Sequence, residues 1–410
     1  MTVSTLTCAS MLVSLLPGVA AAQAPAPASA PASAIRHMAT RGFTLVVKAD
    51  GSVVGWGRDM DGQAARPPSP KRVIAAPVTI DLPGKALQVA LGDSSQYALL
   101  ENGTVVSWGT NDEGQLGNGP MGGSSPGGSP KPSFTPVRVT GLSGIVQIAA
   151  GLKHAVALRN DGTVWAWGRR DNGEIGDGAP KGLRAVPAPG PVRVPGLEGI
   201  TQIAADGSHN LALRRDGHVM AWGMNRNGEL GIGTRETGWT PAEVKGLDRV
   251  VLIAAGTGGM AAGSSGAVRE DGTVWMWGTN TSAQMGDGEG PMSPDDPGGR
   301  NLVPLQVKGV AGVKWLGIGN GHVAALLADG TLRMWGHDGW GQIGAGTAGY
   351  YHQKPTKPKI ANVATMYIGG YHSIAVRTDG TLWIWGWNFI EAAGGILGTN
   401  WHVPTQLDLK

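Results

Sequence analysis

Short apolar runs separated by glycine-containing turns recur along the whole chain, and no stretch shows sustained helical periodicity. In one unit, residues 145–151 and 154–158 are apolar runs, residues 163–167 form a third, and residues 191–194 form a fourth. Asp161-Gly162 separates the second and third runs and is a hairpin signal, because both turn positions need positive φ. The pattern predicts short antiparallel strands whose consecutive apolar residues are covered on both faces of a sheet.

One motif repeats at a regular interval. Asp or Asn followed by Gly, with Trp-Gly beginning six residues after the Asp or Asn, occurs seven times, and successive copies are 50 to 59 residues apart. The tryptophans of these pairs are Trp56, Trp108, Trp167, Trp222, Trp277, Trp335 and Trp385. Because each occupies the same repeat position, we predict that all seven pack between neighbouring units.

Seven units of four strands fit a closed ring better than an open array, which would need polar end caps. A first strand begins at Ile35, and residues 403–407 match the fourth strand of the other repeats. We therefore predict an all-β fold, a seven-bladed β-propeller of four-stranded antiparallel blades over residues 35–410. The ring is expected to be closed by the N- and C-terminal strands, placed together in one blade.

The N-terminal segment has a different composition. Residues 1–22 carry no charged side chain and contain Cys8, the single cysteine, and the apolar stretch 6–16 is too short to span a bilayer. We predict a signal peptide at residues 1–22, cleaved near Ala22, followed by an Ala/Pro-rich linker at residues 23–34. The mature protein is then exported to the periplasm or the extracellular space and has no disulfides.

Composition narrows the function classes. Hydrophobic residues make up 41% of the chain, which excludes disorder throughout. The 33 basic and 30 acidic residues leave a net charge of +3, too small and too scattered to indicate a nucleic-acid surface. We expect a monomer with no membrane span, no cofactor and no metal.

The repeat resembles the regulator of chromosome condensation (RCC1) repeat. The resemblance rests on Ala-Ala-Gly-x-x-His, Asp-Gly-Thr-Val-Trp-x-Trp-Gly and Gly-Gln-Leu-Gly, which stand here at residues 149–154, 161–168 and 114–117. It covers about residues 35–407 and implies a seven-bladed propeller. Members that sense ultraviolet-B light carry tryptophan in Gly-Trp-Arg-His-Thr motifs, whereas the matching segments here, residues 151–154 and 369–372, have none.

In a four-stranded meander the turn after the first strand and the long loop after the third strand emerge on one face of the ring. The long loops differ between repeats in length and chemistry, as binding loops on a rigid scaffold do. They contain a set of aromatic residues, which we predict to bind a protein partner. The set is Trp239, Trp340, Tyr350, Tyr351, Trp387, Phe389 and Trp401.

Four histidines share one repeat position: His154, His209, His322 and His372. Sites related by propeller symmetry lie far apart, whereas zinc needs ligand nitrogens within about 2.1 Å of one ion. We therefore expect these histidines to bond to the backbone of the neighbouring blade.

No catalytic constellation is evident. Residues 123–127 match Gly-x-Ser-x-Gly but have no strand-to-helix turn around them, and the Asp59 and Asp171 loops lack the glutamate of a calcium site. We predict a non-catalytic binding scaffold. The alternative is a secreted enzyme acting on glycans or peptides, with acids supplied by Asp295 and Asp296.

Overall fold

The computed structural model describes residues 35–68, 72–119, 132–179, 186–257, 263–291, 300–347, 349–387 and 400–407. Within them the chain forms seven four-stranded antiparallel sheets, each ordered as a simple meander. The first strands of successive sheets contact one another around the ring, so they line the central channel. The predicted seven-bladed propeller is confirmed. The proposed signal peptide and linker lie outside the described residues.

The strands of the first four blades follow one order, from the channel outwards. Blade 1 contains β1 to β4, at Ile35–Thr40, Phe43–Lys48, Val53–Arg58 and Val73–Ile80. Blade 2 contains β5 to β8, at Ala86–Leu91, Ser95–Leu100, Val105–Gly109 and Ser133–Arg138. Blade 3 contains β9 to β12, at Ile145–Ala150, His154–Arg159, Val164–Gly168 and Ala188–Arg193. Blade 4 contains β13 to β16, at Ile200–Asp206, His209–Arg214, Val219–Gly223 and Gly238–Glu243.

The last three blades repeat this order. Blade 5 contains β17 to β20, at Val250–Thr257, Gly263–Arg269, Val274–Gly278 and Leu305–Gln306, with a short 3-10 helix at Arg300–Leu302 before its last strand. Blade 6 contains β21 to β24, at Val313–Ile318, His322–Leu327, Leu332–His337 and Tyr351–Thr356. Blade 7 contains β25 to β28, at Val363–Ile368, His372–Arg377, Leu382–Gly386 and Trp401–Leu407.

The N- and C-terminal strands lie in different blades. The prediction that they share one blade was therefore wrong. Each blade is contiguous in sequence, because β4 completes blade 1 and β28 completes blade 7. The ring closes where β1 contacts β25 and where one apolar core joins Leu45 of blade 1 to Ile374 of blade 7. Closure therefore depends on packing between two complete sheets.

The Asp-Gly hairpins explain the constant part of the repeat. Gly162 has φ of +81°, a conformation that glycine adopts without strain. Asp161 Oδ1 accepts hydrogen bonds from Thr163 Oγ1 (2.6 Å) and from Thr163 N (3.0 Å). These bonds hold the pKa of the exposed Asp161 carboxyl below its usual value. The same Asp-Gly-Thr arrangement recurs at Asp271, Asp329 and Asp379.

The seven tryptophans of the Trp-Gly pairs are buried. In blade 4 the Trp222 indole donates its N–H to the Glu174 carbonyl of blade 3 at 3.0 Å. A Cβ on Gly176 would lie 2.6 Å from Trp222 Cδ1, so glycine is needed where the loop crosses the ring. The same indole-to-carbonyl bond from a blade to the one before it, 2.7–2.9 Å long, is made by Trp108, Trp167, Trp277, Trp335 and Trp385. These contacts join successive blades.

Candidate partner-binding face

The turns between first and second strands and the loops between third and fourth strands lie on one face, here called the loop face. Backbone hydrogen bonds link several of these turns around the channel mouth. Asp93 N donates to Leu152 O at 2.9 Å, and Leu152 N donates to Gly207 O at 2.8 Å. Asn320 N donates to Gly370 O at 2.8 Å. The loop face therefore rests on a rigid base.

Blades 6 and 7 bring six rings together on the loop face: His337, Trp340, Tyr350, Tyr351, Tyr371 and Trp387, here called the aromatic cluster. Trp340 stacks on Trp387 with ring centroids 5.4 Å apart and an interplanar angle of 28°. Tyr371 packs edge-on against both rings at 5.2 Å. Tyr350 is 71% exposed, whereas Trp340, Tyr371 and Trp387 are half-buried. The result is a continuous aromatic surface open to solvent.

Polar contacts hold the loop that carries Trp340. Trp340 N donates to Gln342 Oε1 at 2.9 Å, and the Gln342 amide lies 2.8 Å from His337 Nδ1. The buried carboxylate of Asp338 accepts a hydrogen bond from Ile343 N (2.9 Å) and lies 2.9 Å from His352 Nε2. Ring and backbone are thus fixed before any partner arrives, which lowers the entropy cost of binding.

His337 contributes a neutral ring to the aromatic cluster. Burial lowers the pKa of its imidazole, more than offsetting the Gln342 hydrogen bond and the nearby Asp338 charge, which raise it. Its centroid lies 4.9 Å from that of Trp340 and 5.7 Å from that of Tyr351. At neutral pH the cluster therefore behaves as an uncharged surface.

Four of the seven aromatic residues predicted to bind a partner belong to this cluster: Trp340, Tyr350, Tyr351 and Trp387. Trp239 and Trp401 do not join them. Trp239 lies half-buried in β16, and Trp401 lies half-buried in β28 against the apolar cores of blades 1 and 6. Phe389 lies outside the described residues.

Two members of the cluster, Tyr371 and His337, were missed in the sequence analysis. Tyr371 lies in the turn before His372, and His337 ends β23. The sequence indicated these two residues only through their positions in the repeat, because the turns after the first strands and the ends of the third strands all lie on the loop face. Which neighbouring loops carry aromatic residues decides whether such positions form a surface.

The opposite part of the loop face, at blades 2 and 3, is charged and internally paired. Lys153 Nζ lies 2.6 Å from Asp112 Oδ2, and Arg170 Nη2 lies 2.8 Å from Asp177 Oδ2. These charges are already paired within the chain, so fewer of them are free to attract a partner. The aromatic cluster is therefore the stronger candidate for recognition.

The four histidines of the shared position bond to side chains of the next blade, where backbone partners were expected. The ring nitrogens contact Asn210 (2.8 Å from His154), Ser265 (3.0 Å from His209), Ser373 (3.2 Å from His322) and Thr40 (2.6 Å from His372). Within the described residues, no group of three or more His, Cys, Asp or Glu side chains is arranged to hold a metal ion.

The residues considered for enzyme chemistry lie in two places. Residues 123–127, Asp295 and Asp296 are outside the described residues. Asp59 is buried, and its Oδ1 accepts a hydrogen bond from Ala64 N at 3.0 Å, as a turn-forming residue does. Burial raises the pKa of its carboxyl.

The chain is similar to known protein families and solved structures. The model of the RCC1-like domain matches residues 22–262, more than half of the chain. The chain belongs to the RCC1-like family. A model of the regulator of chromosome condensation (RCC1) repeat also matches residues 363–389, in blade 7.

Individual RCC1-like proteins extend the comparison. The chain is 33% identical to the ultraviolet-B receptor UVR8 of Arabidopsis thaliana over 273 residues, 64% of this chain and 56% of that protein. It spans about half the length of the curated relatives that it matches first. RCC1-type propellers are in general binding or regulatory proteins.

Solved structures share the fold. Human WBSCR16 superposes with a TM-score of 0.71 at 20% identity, covering 87% of this chain and 94% of that one. Yeast RCC1 (Prp20), solved bound to Kap60, gives 0.70 at 23% identity, covering 95% of this chain and 90% of that one. In the described part of this chain, no helical segment has the length and hydropathy needed to cross a bilayer.

Proposed function

We propose that this chain is an exported, monomeric, non-catalytic binding scaffold that recognises a protein partner through the aromatic cluster. The observation that carries the proposal is the stack of Trp340 on Trp387, flanked by Tyr371 and by the exposed Tyr350. Trp and Tyr dominate the energetics of protein interfaces because they bury a large area with few rotatable bonds. A protein partner is consistent with Prp20, whose structure with Kap60 and binding to Gsp1p and histones are described for that protein.

The cluster has the organisation of an interface centre. Half-buried indoles lie in the middle, and Tyr350 and Tyr351 extend to the more exposed edge. The loop beneath is hydrogen-bonded through Gln342 and Asp338. Such a surface can exclude water from a few central contacts, which is where most of the binding energy of an interface is found.

The test is affinity capture with the tagged full chain from periplasm and culture medium, comparing wild type with Trp340→Ala/Trp387→Ala. Removing two central indoles is expected to weaken capture of the specific partner at least ten-fold. The matched control is Val146→Ala/Val251→Ala. It trims two exposed side chains, 38% and 56% accessible, near the face of the ring opposite the loop face. Equal capture by all three proteins would contradict the proposal.

Export is tested separately, because it depends on residues 1–22. Expression of the full gene product followed by cell fractionation and mass measurement should give a mature chain that begins after Ala22. Light scattering on that product should give the mass of one chain. An uncleaved protein that remains in the cytoplasm would contradict the export part and leave the binding part testable.

A further inference from the structure

The histidine position follows a pairing pattern around the ring. Where a blade has histidine, the next blade has a polar side chain one residue further along its second strand, as with His154 and Asn210 at 2.8 Å. Where a blade has serine at the histidine position, the next blade has an apolar side chain at the facing position, as with Ser264 and Val323. Ser264 instead donates a hydrogen bond within its own blade, to Thr279 O at 2.9 Å. Each histidine at these junctions therefore has a side-chain partner in the next blade.

The junction between blades 1 and 2 breaks this pattern. Phe43 occupies the histidine position, and the residue facing it from blade 2 is Gln96, which is 1% exposed. Within the described residues, the Gln96 side-chain amide makes no hydrogen bond, and its Oε1 is fully enclosed. An unpaired buried amide is costly, so a polar group left in this state needs an explanation.

The Phe43 ring does not fill the space in front of Gln96. It lies over Gly55 of its own blade, where an added Cβ would come within 2.6 Å of Phe43 Cε1. The other blades have a side chain at the position of Gly55, as with Ala221 and Met276. The pair Phe43 and Gly55 thus keeps the ring within blade 1, and Phe43 offers Gln96 no hydrogen-bonding group.

A cavity of about 650 Å³ opens at the channel mouth on the loop face and extends to Gln96; residues of blades 3, 5, 6 and 7 line it together with those of blades 1 and 2. It lies within the range of about 300–1,000 Å³ that is typical of small-molecule sites. Gln96 lines it, together with an apolar wall formed by Phe43, Met60, Tyr371 and Trp387. A flat apolar group fits such a wall.

The charged wall of the cavity is formed by arginines. Arg58 and Arg72 line it and are exposed, and neither makes an ion pair within the described residues. Arg41 also lines it but is paired with Asp206 across the channel mouth, and Asp93 supplies one acid. Burial lowers the pKa of the lining His372 to about 4, so that ring is neutral at pH 7. The unpaired positive charge comes from Arg58 and Arg72.

From these contacts we infer that the cavity at the channel mouth beside blades 1 and 2 binds a small organic carboxylate carried on a flat apolar body. Arg58 and Arg72 attract the carboxylate, since the guanidinium group matches its two oxygens. The Gln96 NH₂ can donate a hydrogen bond to the carboxylate, which only accepts hydrogen bonds. Phe43 and Trp387 contact the apolar body. This inference does not depend on the proposed protein partner, but the two sites adjoin, since Tyr371 and Trp387 belong to both the cavity wall and the aromatic cluster.

The experiment is calorimetric titration of the full mature chain with naphthalene-2-carboxylate and with its neutral counterpart, naphthalene-2-methanol. The carboxylate is expected to bind at least ten-fold more tightly than the alcohol. Arg58→Gln/Arg72→Gln should remove that difference, and Gln96→Leu should weaken the carboxylate at least three-fold. Arg138→Gln/Arg193→Gln, which changes two exposed arginines on the outer strands of blades 2 and 3, is the charge-matched control and should leave both affinities unchanged.

Two results would overturn the inference. Binding of neither probe would mean that the cavity holds only water, and equal affinity for the two probes would mean that the arginines do not select a carboxylate. Tight carboxylate binding that survives Arg58→Gln/Arg72→Gln would place the site elsewhere on the chain. Circular dichroism of each variant establishes that the propeller is intact, so that a lost affinity is not a lost fold.

Discussion

The junction between blades 3 and 4 and the junction between blades 1 and 2 use the same repeat positions with opposite outcomes. In the first, His154 bonds to Asn210, and Asn210 Nδ2 donates to the Glu174 carbonyl at 3.0 Å. In the second, Phe43 lies over Gly55 and the Gln96 amide has no partner within the described residues. One junction is a closed polar contact, and the other leaves a buried amide unpaired beside the cavity at the channel mouth.

This difference separates what holds the ring from what can be used for binding. The tryptophan bond between blades is present at both junctions, from Trp222 to Glu174 and from Trp108 to Gln63. The histidine position is the part that varies. A repeat protein can therefore alter one residue pair to open a site without losing the contact that joins the blades.

The largest expected effect concerns the shared contact. Trp222→Ala and Trp108→Ala each remove a fully buried indole and its hydrogen bond, and each should reduce the free energy of unfolding by about 3–5 kcal/mol. Urea unfolding followed by circular dichroism measures this. A change in Trp108→Ala of under about 1 kcal/mol would show that blades 1 and 2 are not joined in this way.

A smaller effect is expected from the histidine position of the closed junction. Asn210→Leu leaves the His154 ring nitrogen and the Glu174 carbonyl with fewer partners in a buried place. Since each buried group that loses its partner costs about 1–3 kcal/mol, we expect a loss of about 3 kcal/mol in unfolding free energy. Unchanged stability on urea unfolding would remove the basis for calling this junction closed.

Acid should weaken the histidine junctions. Burial lowers the pKa of His209 and His322 to about 3, below the usual value near 6.5. The unfolded chain therefore binds more protons between these values, and stability falls as the pH drops through that window. For His322 the loss from pH 7 to pH 5 is about 2 kcal/mol. Wild type should lose that much more than His322→Gln in urea unfolding, and parallel losses would contradict the assignment.

The smallest effect has the opposite sign. Gln96→Leu replaces an unpaired buried amide with an apolar group of similar size, so we expect stability to be unchanged or to rise by up to about 1 kcal/mol. The contrast with Asn210→Leu at the equivalent position is the informative result. If Gln96→Leu were as destabilising as Asn210→Leu, the amide would have a partner in solution.

The sequence was sufficient for the blade count, because hairpin chemistry at Asp161-Gly162 and the spacing to Trp167 repeat seven times. It was insufficient for ring closure, since residues 403–407 look the same whether they complete blade 7 or join blade 1. The loop face was predicted from strand direction, and Trp340 and Trp387 were selected from it.

The composition of the aromatic cluster could not be predicted in the same way. Trp239 lies in β16, after its loop, and Trp340 lies near the start of the loop between β23 and β24; only Trp340 lies against aromatic residues of the next blade. Contacts between blades also decided the cavity. Phe43 and Gln96 are 53 residues apart, and their mismatch appears only when the registers of blades 1 and 2 are compared.

Recognition of a partner at the loop face of blades 6 and 7 is the central proposal. Photo-crosslinking in cells that express the chain with p-benzoyl-phenylalanine at Tyr350 or at Val251 tests this most directly. Both positions are exposed, at 71% and 56%, and they lie towards opposite faces of the ring. We predict a discrete crosslinked protein from position 350 and none from position 251. Crosslinks from position 251 alone would contradict the claim.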